Sequence, residues 1–189
     1  MARPKSEDKR KAILDAALRV FAEHGIANAP TSAISKAAGV AEGSLFTYFK
    51  TKEELLSALY FDLRMEFSRH LPDFPHGTNA RTRLKYIWDQ YLELGASHPE
   101  QLKVLKQLRA TGRLFREDET PAFAFVEVLK ATHDAVQGKE LQHAPPEYLV
   151  LVMRAQAEMT LEYIHAHPQS AEICRELGFK MVWAGLTGK

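Results

Sequence analysis

Apolar positions recur along this chain with helical spacing almost throughout. Ile13, Ala17, Val20, Phe21 and His24 share one stripe of a first amphipathic stretch over residues 6–24. Gly25 is placed to end that stretch, and Pro30 breaks the chain before the next. A short helix then fits 32–38, stopped by Gly39, and another fits 42–49. Thr51 and Glu54 have the spacing of a capping box, which opens a long helix to about His70 before Pro72 and Pro75. Further helices are expected near 80–97, 99–111, 121–137, 146–166 and 170–187, with Thr120-Pro121 as N-cap and first helical residue of the third of these. Gly138 to Pro146 is expected to be a loop. No sustained period-two run rich in β-branched residues occurs, so the expected fold class is all-α with about nine helices.

The segment Thr31 to Leu55 carries the strongest chemical signal. Two short helices joined at Ala38-Gly39-Val40 have the length and turn chemistry of a helix-turn-helix, the glycine accepting the bend. Ile34, Ala37 and Ala38 supply a small apolar face on the first, and Leu45 and Phe49 face inward on the second with Val40 beneath. Glu42, Gly43, Ser44, Thr47 and Tyr48 are left toward the outside, a small polar surface of the kind that enters a major groove. Thr31 is either a plain N-cap or, with the exposed N–H groups beside it, a phosphate holder. Lys52 is either a second phosphate contact or a surface lysine.

Charge points the same way once the chain is divided. The net charge is +1, but residues 1–52 hold nine basic and five acidic residues while the remainder holds sixteen and nineteen. A basic head on a mildly acidic body suggests that the head meets a polyanion. Arg3, Lys5, Lys9, Arg10 and Lys11 form an arm that either touches DNA or is merely solvated. The single cysteine, Cys174, excludes an intramolecular disulfide and a cysteine-based zinc site. No apolar run is long enough to span a bilayer, and no signal-type stretch follows the basic N-terminus, so a cytoplasmic protein without membrane association is expected.

These residues resemble the DNA-binding domain of the TetR family of bacterial regulators. The family pattern has FxxxG, matched by Phe21 to Gly25. Next comes T-(x)2-I-(x)2-A-A-G-V, matched by Thr31, Ile34, Ala37, Ala38, Gly39 and Val40. The last part is G-x-L-Y-x-[HY]-F-x-x-K-x-x-L, met at Gly43, Leu45, Phe46, Tyr48, Phe49, Lys52 and Leu55. The likeness covers about residues 10–60. It implies DNA contacts at Thr31, Ser32, Glu42, Gly43, Ser44, Thr47, Tyr48 and Lys52, a DNA-binding domain over 1–52, and a helical ligand-binding and dimerisation domain over 53–189. Two departures matter. Phe46 stands where the family usually has tyrosine, removing a hydroxyl. Ala41 stands where serine or threonine often caps the recognition helix, and a missing cap costs about 0.5–2 kcal/mol.

In the body, Tyr148, Val152, Ala155, Met159 and Tyr163 form one seam of the helix over 146–166. Leu149, Met153, Gln156, Thr160 and Ile164 form a second. The helix over 170–187 is apolar around much of its girth (Ile173, Leu177, Phe179, Met181, Val182, Trp183, Leu186). The pair is either buried within one subunit or faces a partner. The resemblance implies a homodimer through these last two helices, reading a palindromic operator in duplex DNA. It also implies a small-molecule site among the middle helices, for which Trp88, Tyr91, Leu108, Phe123, Met153, Gln156 and Met159 are the candidates, with Gln156 or His133 as polar handles. The same side chains suit any helical core.

The expected function is a ligand-responsive transcriptional regulator, a repressor released from DNA by an inducer, and no cofactor is called for. One alternative is a helical protein-interaction module that uses the helix-turn-helix for packing alone. Another is a helical-bundle metal enzyme, for which Glu140–His143 and Glu162–His165 supply Glu-x-x-His spacings. The first lies in the loop and the second off the apolar seams. HExxH, GxSxG and phosphate-loop motifs are absent, so no enzyme is expected.

Overall fold

The computed structural model describes residues 4–70, 74–111 and 123–188, with side chains described from residue 7 onward except at 123–127 and 140. The described residues form nine α-helices and no strand: α1 (Pro4–His24), α2 (Thr31–Ala37), α3 (Glu42–Tyr48), α4 (Lys52–Arg69), α5 (Ala80–Ser97), α6 (Pro99–Ala110), α7 (Phe123–Val136), α8 (Pro146–Ala166) and α9 (Ala171–Thr187). The all-α expectation holds, and the helix limits match the periodicity to within two or three residues. The segment expected as a loop after Gly138 contains a 3-10 turn over Glu140–His143. Pro72 and the Thr120-Pro121 cap lie outside the described residues.

Packing divides the chain into two compact units, Met1–Arg64 with His98–Thr120 and Met65–Ser97 with Pro121–Lys189. The first has a core of Ile13, Leu14, Ala17 and Phe21 from α1, Ile34 from α2, Leu45 and Phe49 around α3, and Leu55 and Leu59 from α4. Val104 and Leu108 of α6 complete it. His24, on the apolar stripe by spacing, is instead exposed beside Glu23. In the second unit Leu84, Ile87, Trp88 and Leu92 of α5 join Val128, Ala131 and Ala135 of α7, Leu149, Met153 and Ala157 of α8, and Phe179, Val182 and Leu186 of α9 as the buried set.

One close approach fixes the second unit. A methyl group on Gly178 would sit 2.7 Å from Trp88 Cζ2 and 2.9 Å from Thr160 Oγ1, so only glycine lets the indole lie against α9. The indole N–H donates to the Arg175 carbonyl at 3.0 Å, which satisfies the one polar atom of a side chain only 2% exposed.

Candidate nucleic-acid interface

Three short connections present α2 and α3. Gly25 takes φ 76° just after α1, where its N–H bonds back to the Phe21 carbonyl at 2.9 Å. Gly39 takes φ 66° in the turn between α2 and α3. Both positions lie in the left-handed region that a Cβ disfavours. After α3, the chain enters α4 through a reciprocal cap. The Glu54 N–H donates to Thr51 Oγ1 at 3.1 Å, and the Lys50 N–H donates to the Glu54 carboxylate at 2.8 Å. The expected capping box is therefore present with its return bond shifted one residue back.

On α3, Leu45 and neighbouring Phe49 point into the core, and Tyr48 is half-buried against it. Glu42, Gly43 and Thr47 are exposed as expected and Ser44 is half-buried, but Tyr48, expected on the same outer face, is turned against the core instead. The Thr47 hydroxyl donates to the Gly43 carbonyl at 3.0 Å. Phe46 stands 42% exposed, an apolar ring on an otherwise polar rim. Ala41 precedes α3 with no side-chain cap, as its identity demands. Pro30 precedes α2, also without a side-chain cap, so Thr31 is the first helical residue and not the N-cap. Ser32 beside it is exposed, while its carbonyl accepts from the buried Ser35 hydroxyl at 3.0 Å.

Lys52 has an arrangement that spacing did not anticipate. Its ammonium donates to the Ile26 carbonyl at 2.7 Å and the Ala29 carbonyl at 2.8 Å, inside the corner between α1 and α2. In the basic arm, Lys11 bridges Asp15 at 3.0 Å and Asp62 at 3.2 Å. Partial burial alone would lower the Lys11 pKa, but the hydrogen bonds it donates to the two carboxylates outweigh that and hold it above the ordinary 10.5. The Arg10 guanidinium lies over the Phe49 ring at 5.4 Å, and Lys9 is exposed. Arg3 and the side chain of Lys5 lie outside what is described.

Residues 13–59 match the model of the bacterial regulatory proteins of the tetR family. Over this segment the chain carries a DNA-binding domain of the tetR type. A Bacillus subtilis relative, the fatty acid metabolism regulator protein, is 33% identical over 97 residues, which span 51% of this chain and 50% of that one. The matched stretch is thus only half the length of that relative. Among solved structures, a TetR-family regulator from Marinobacter aquaeolei VT8 superposes with a TM-score of 0.75 at 24% identity, covering 96% of each chain. FadR from Bacillus subtilis, solved with stearoyl-CoA, superposes with a TM-score of 0.67 at 19% identity, covering 93% of this chain and 98% of that one. At these identities the likeness is one of fold.

The ligand candidates fall in different places. Trp88 and Met153 are buried in the second unit, and Tyr91 and Gln156 are half-buried there. The Tyr91 hydroxyl donates to Glu158 at 2.9 Å, and the Thr132 hydroxyl reaches the Met153 sulfur at 3.8 Å. Leu108 belongs to the core of the first unit. Met159 stands 62% exposed on the outer seam of α8. The Phe123 side chain lies outside the description. His133 is exposed and turned to Gln137. Glu158, which periodicity did not single out, is the acidic group beside Tyr91. Glu162 and His165 are exposed, and no group of three or more His, Cys, Asp or Glu that could hold a metal occurs among the described residues. No described helix is long and apolar enough to cross a membrane.

Proposed function

We propose that this chain is a TetR-family, ligand-responsive repressor that binds a roughly palindromic operator as a homodimer and is not an enzyme. The observation that carries the reading is the outer face of α3. Glu42, Gly43 and Thr47 stand exposed with Ser44 half-buried among them, while Thr31 is half-buried and Ser32 exposed at the start of α2. In a major groove, Ser44 and Thr47 offer hydroxyls to base edges or phosphates, and Gly43 lets backbone approach DNA closely. Glu42 repels phosphate and is suited to accept from a cytosine amine. Tyr48 braces the helix from behind.

Two exposed rows support the dimer. Tyr148, Val152, Met159 and Tyr163 line α8, and Ile173, Leu177 and Met181 line α9, with Met159 and Met181 over 60% exposed. Such contiguous apolar rows mark association surfaces. A second copy on this face would set two α3 helices for two half-sites. Inducer would act by favouring a dimer whose heads no longer match those half-sites. Trp88, Tyr91, Met153 and Gln156 are its proposed neighbours. Long-chain acyl thioesters are the first ligand class to try, since the curated Bacillus relative is named for fatty acid metabolism and FadR was solved with stearoyl-CoA. A cytoplasmic location follows from access to the genome.

The deciding experiment is affinity selection of fragmented genomic DNA with wild type and with the Ser44→Glu/Thr47→Glu variant. Recovery of a few palindromic sites by the wild type alone supports the repressor. Equal, sequence-blind recovery by both refutes it and favours the protein-interaction reading. Sedimentation of Met159→Lys tests the dimer separately, the expected result being a monomer.

A further inference from the structure

We propose that Phe46 is a specificity-determining residue whose exposed ring packs on the C5 methyl group of a thymine in the major groove. The proposal rests on the DNA-binding reading above and names a base that the face of α3 recognises.

Burial decides which side chains around α3 can reach a base. Leu45 and Phe49 are buried, and Ser44 and Tyr48, four apart, are half-buried along one edge. The exposed residues are Glu42, Gly43, Phe46 and Thr47. At four-residue spacing they make two adjacent rows, Glu42 with Phe46 and Gly43 with Thr47. Phe46 therefore takes the place on the outer arc that periodicity assigns to Tyr48.

The chemistry of this arc is uneven. The helix, EGSLFTY, contains no Arg, Lys, Asn or Gln, the side chains that bond guanine or adenine through paired contacts. The Thr47 hydroxyl has its one proton committed to the Gly43 carbonyl at 3.0 Å, so toward a ligand its oxygen accepts. The Glu42 carboxylate also accepts, and Gly43 has no side chain. Phe46, 42% exposed and outside the core of the first unit, is the large apolar element of the arc. Its ring carries no polar atom, so it cannot bond a phosphate, and laid over a base amine or carbonyl it would leave that group without a partner. Among the groups that bases present in the major groove, the thymine methyl is the one that apolar surface matches. Covering that methyl also takes out of water ring surface that the free protein leaves exposed. A single apolar side chain on a protein surface is ordinary. This one stands beside Glu42 and Thr47 on the arc proposed to meet the bases.

The test uses uracil, which pairs as thymine does and lacks only the methyl. Operators enriched by the wild type are remade with each thymine in turn replaced by uracil, and binding is measured for wild type and Phe46→Ala. For wild type the expected result is an affinity about fourfold lower at one thymine of each half-site, as for one buried methyl group lost, and little change elsewhere. Phe46→Ala is expected to bind the thymine operator more weakly by at least that factor and to be indifferent to uracil at that position. Phe46→Gln, of similar bulk but polar, serves where Phe46→Ala is poorly folded. Uracil sensitivity that persists undiminished in the variants belongs to another side chain, such as the Thr47 methyl, and overturns the proposal. Equal loss on operator and mixed-sequence duplex in Phe46→Ala overturns it too, by placing the ring against the sugar–phosphate backbone. A wild-type chain that enriches no site loses the DNA-binding reading and this proposal together. One that enriches sites yet ignores uracil at every position keeps that reading and loses only the role of Phe46.

Discussion

In the first unit α2 and α3 are seven residues each, while in the second α8 runs for 21 and α9 for 17. Helices of two turns do not persist alone in water. The first unit holds them by a shared core of Ile34 and Leu45 and by side chains that bond to backbone at the connections: Thr51 and Glu54 before α4, Lys52, Lys103 and Gln107 around the first corner. The second unit depends on side-chain interlock, with Trp88 lying against the bare backbone of Gly178. Short helices with polar fastenings leave the outer face of α3 free, the face proposed above to meet DNA. Long helices with a fitted core leave whole apolar rows exposed, the face proposed above for a second chain.

The contrast breaks most sharply at Trp88. Trp88→Ala empties the contact against Gly178 and orphans the Arg175 carbonyl, and should cost about 3–5 kcal/mol by urea unfolding. Amide exchange should rise in α5, α8 and α9 and stay unchanged in α1 to α3; an equal rise in both would show that the units are one cooperative block. Two glycines sharpen the comparison next. Gly178→Ala should lower stability by about 1–3 kcal/mol, because its methyl meets the indole. Gly43→Ala meets nothing within 4 Å and should raise stability by up to about 1 kcal/mol, with weaker operator binding as its cost. Thermal melting of the pair reads opposite signs. Thr51→Ala removes the cap at the start of α4 and should cost about 1 kcal/mol, seen as faster exchange of the Glu54 amide.

The smallest effect concerns acid. The hydrogen bond from Lys85 at 2.9 Å, with its charge, holds the Glu176 carboxyl below the ordinary 4.5. A depressed carboxylate contributes stability above its unfolded pKa and loses it as pH falls through the folded value. Glu176 is half exposed, so solvent screens the pair. Melting from about pH 6 down to about pH 3 should fall slightly less in Glu176→Gln than in wild type.

Much of this was legible in the sequence because it is local. Helical spacing, Gly25, Gly39 and the Thr51/Glu54 pair set limits that the structure keeps, and the same spacing placed Glu42, Gly43 and Thr47 outside. What was not legible depends on pairs far apart in the chain. Lys103 meets Ala22 and Gln107 meets Ile26 across 81 positions, and no periodicity within α6 announces them. Met159 fits a core by type and spacing, yet stands on the exposed seam, since the two stripes of α8 cannot be told apart until α9 covers one of them. Trp88 reads as a pocket side chain by chemistry, but Gly178 had to be brought opposite it before its place was defined.

The placement of the aromatic residues also gives the molecule a built-in optical label. The chain has two tryptophans, Trp88 and Trp183, and both lie in the second unit. Emission excited at the red edge of the absorption band therefore comes from the body alone. One indole is sealed between α5, α8 and α9, and the other stacks on Phe179. A change in colour or quenching on adding a compound registers an event in the body without any DNA present, and the reading head stays dark.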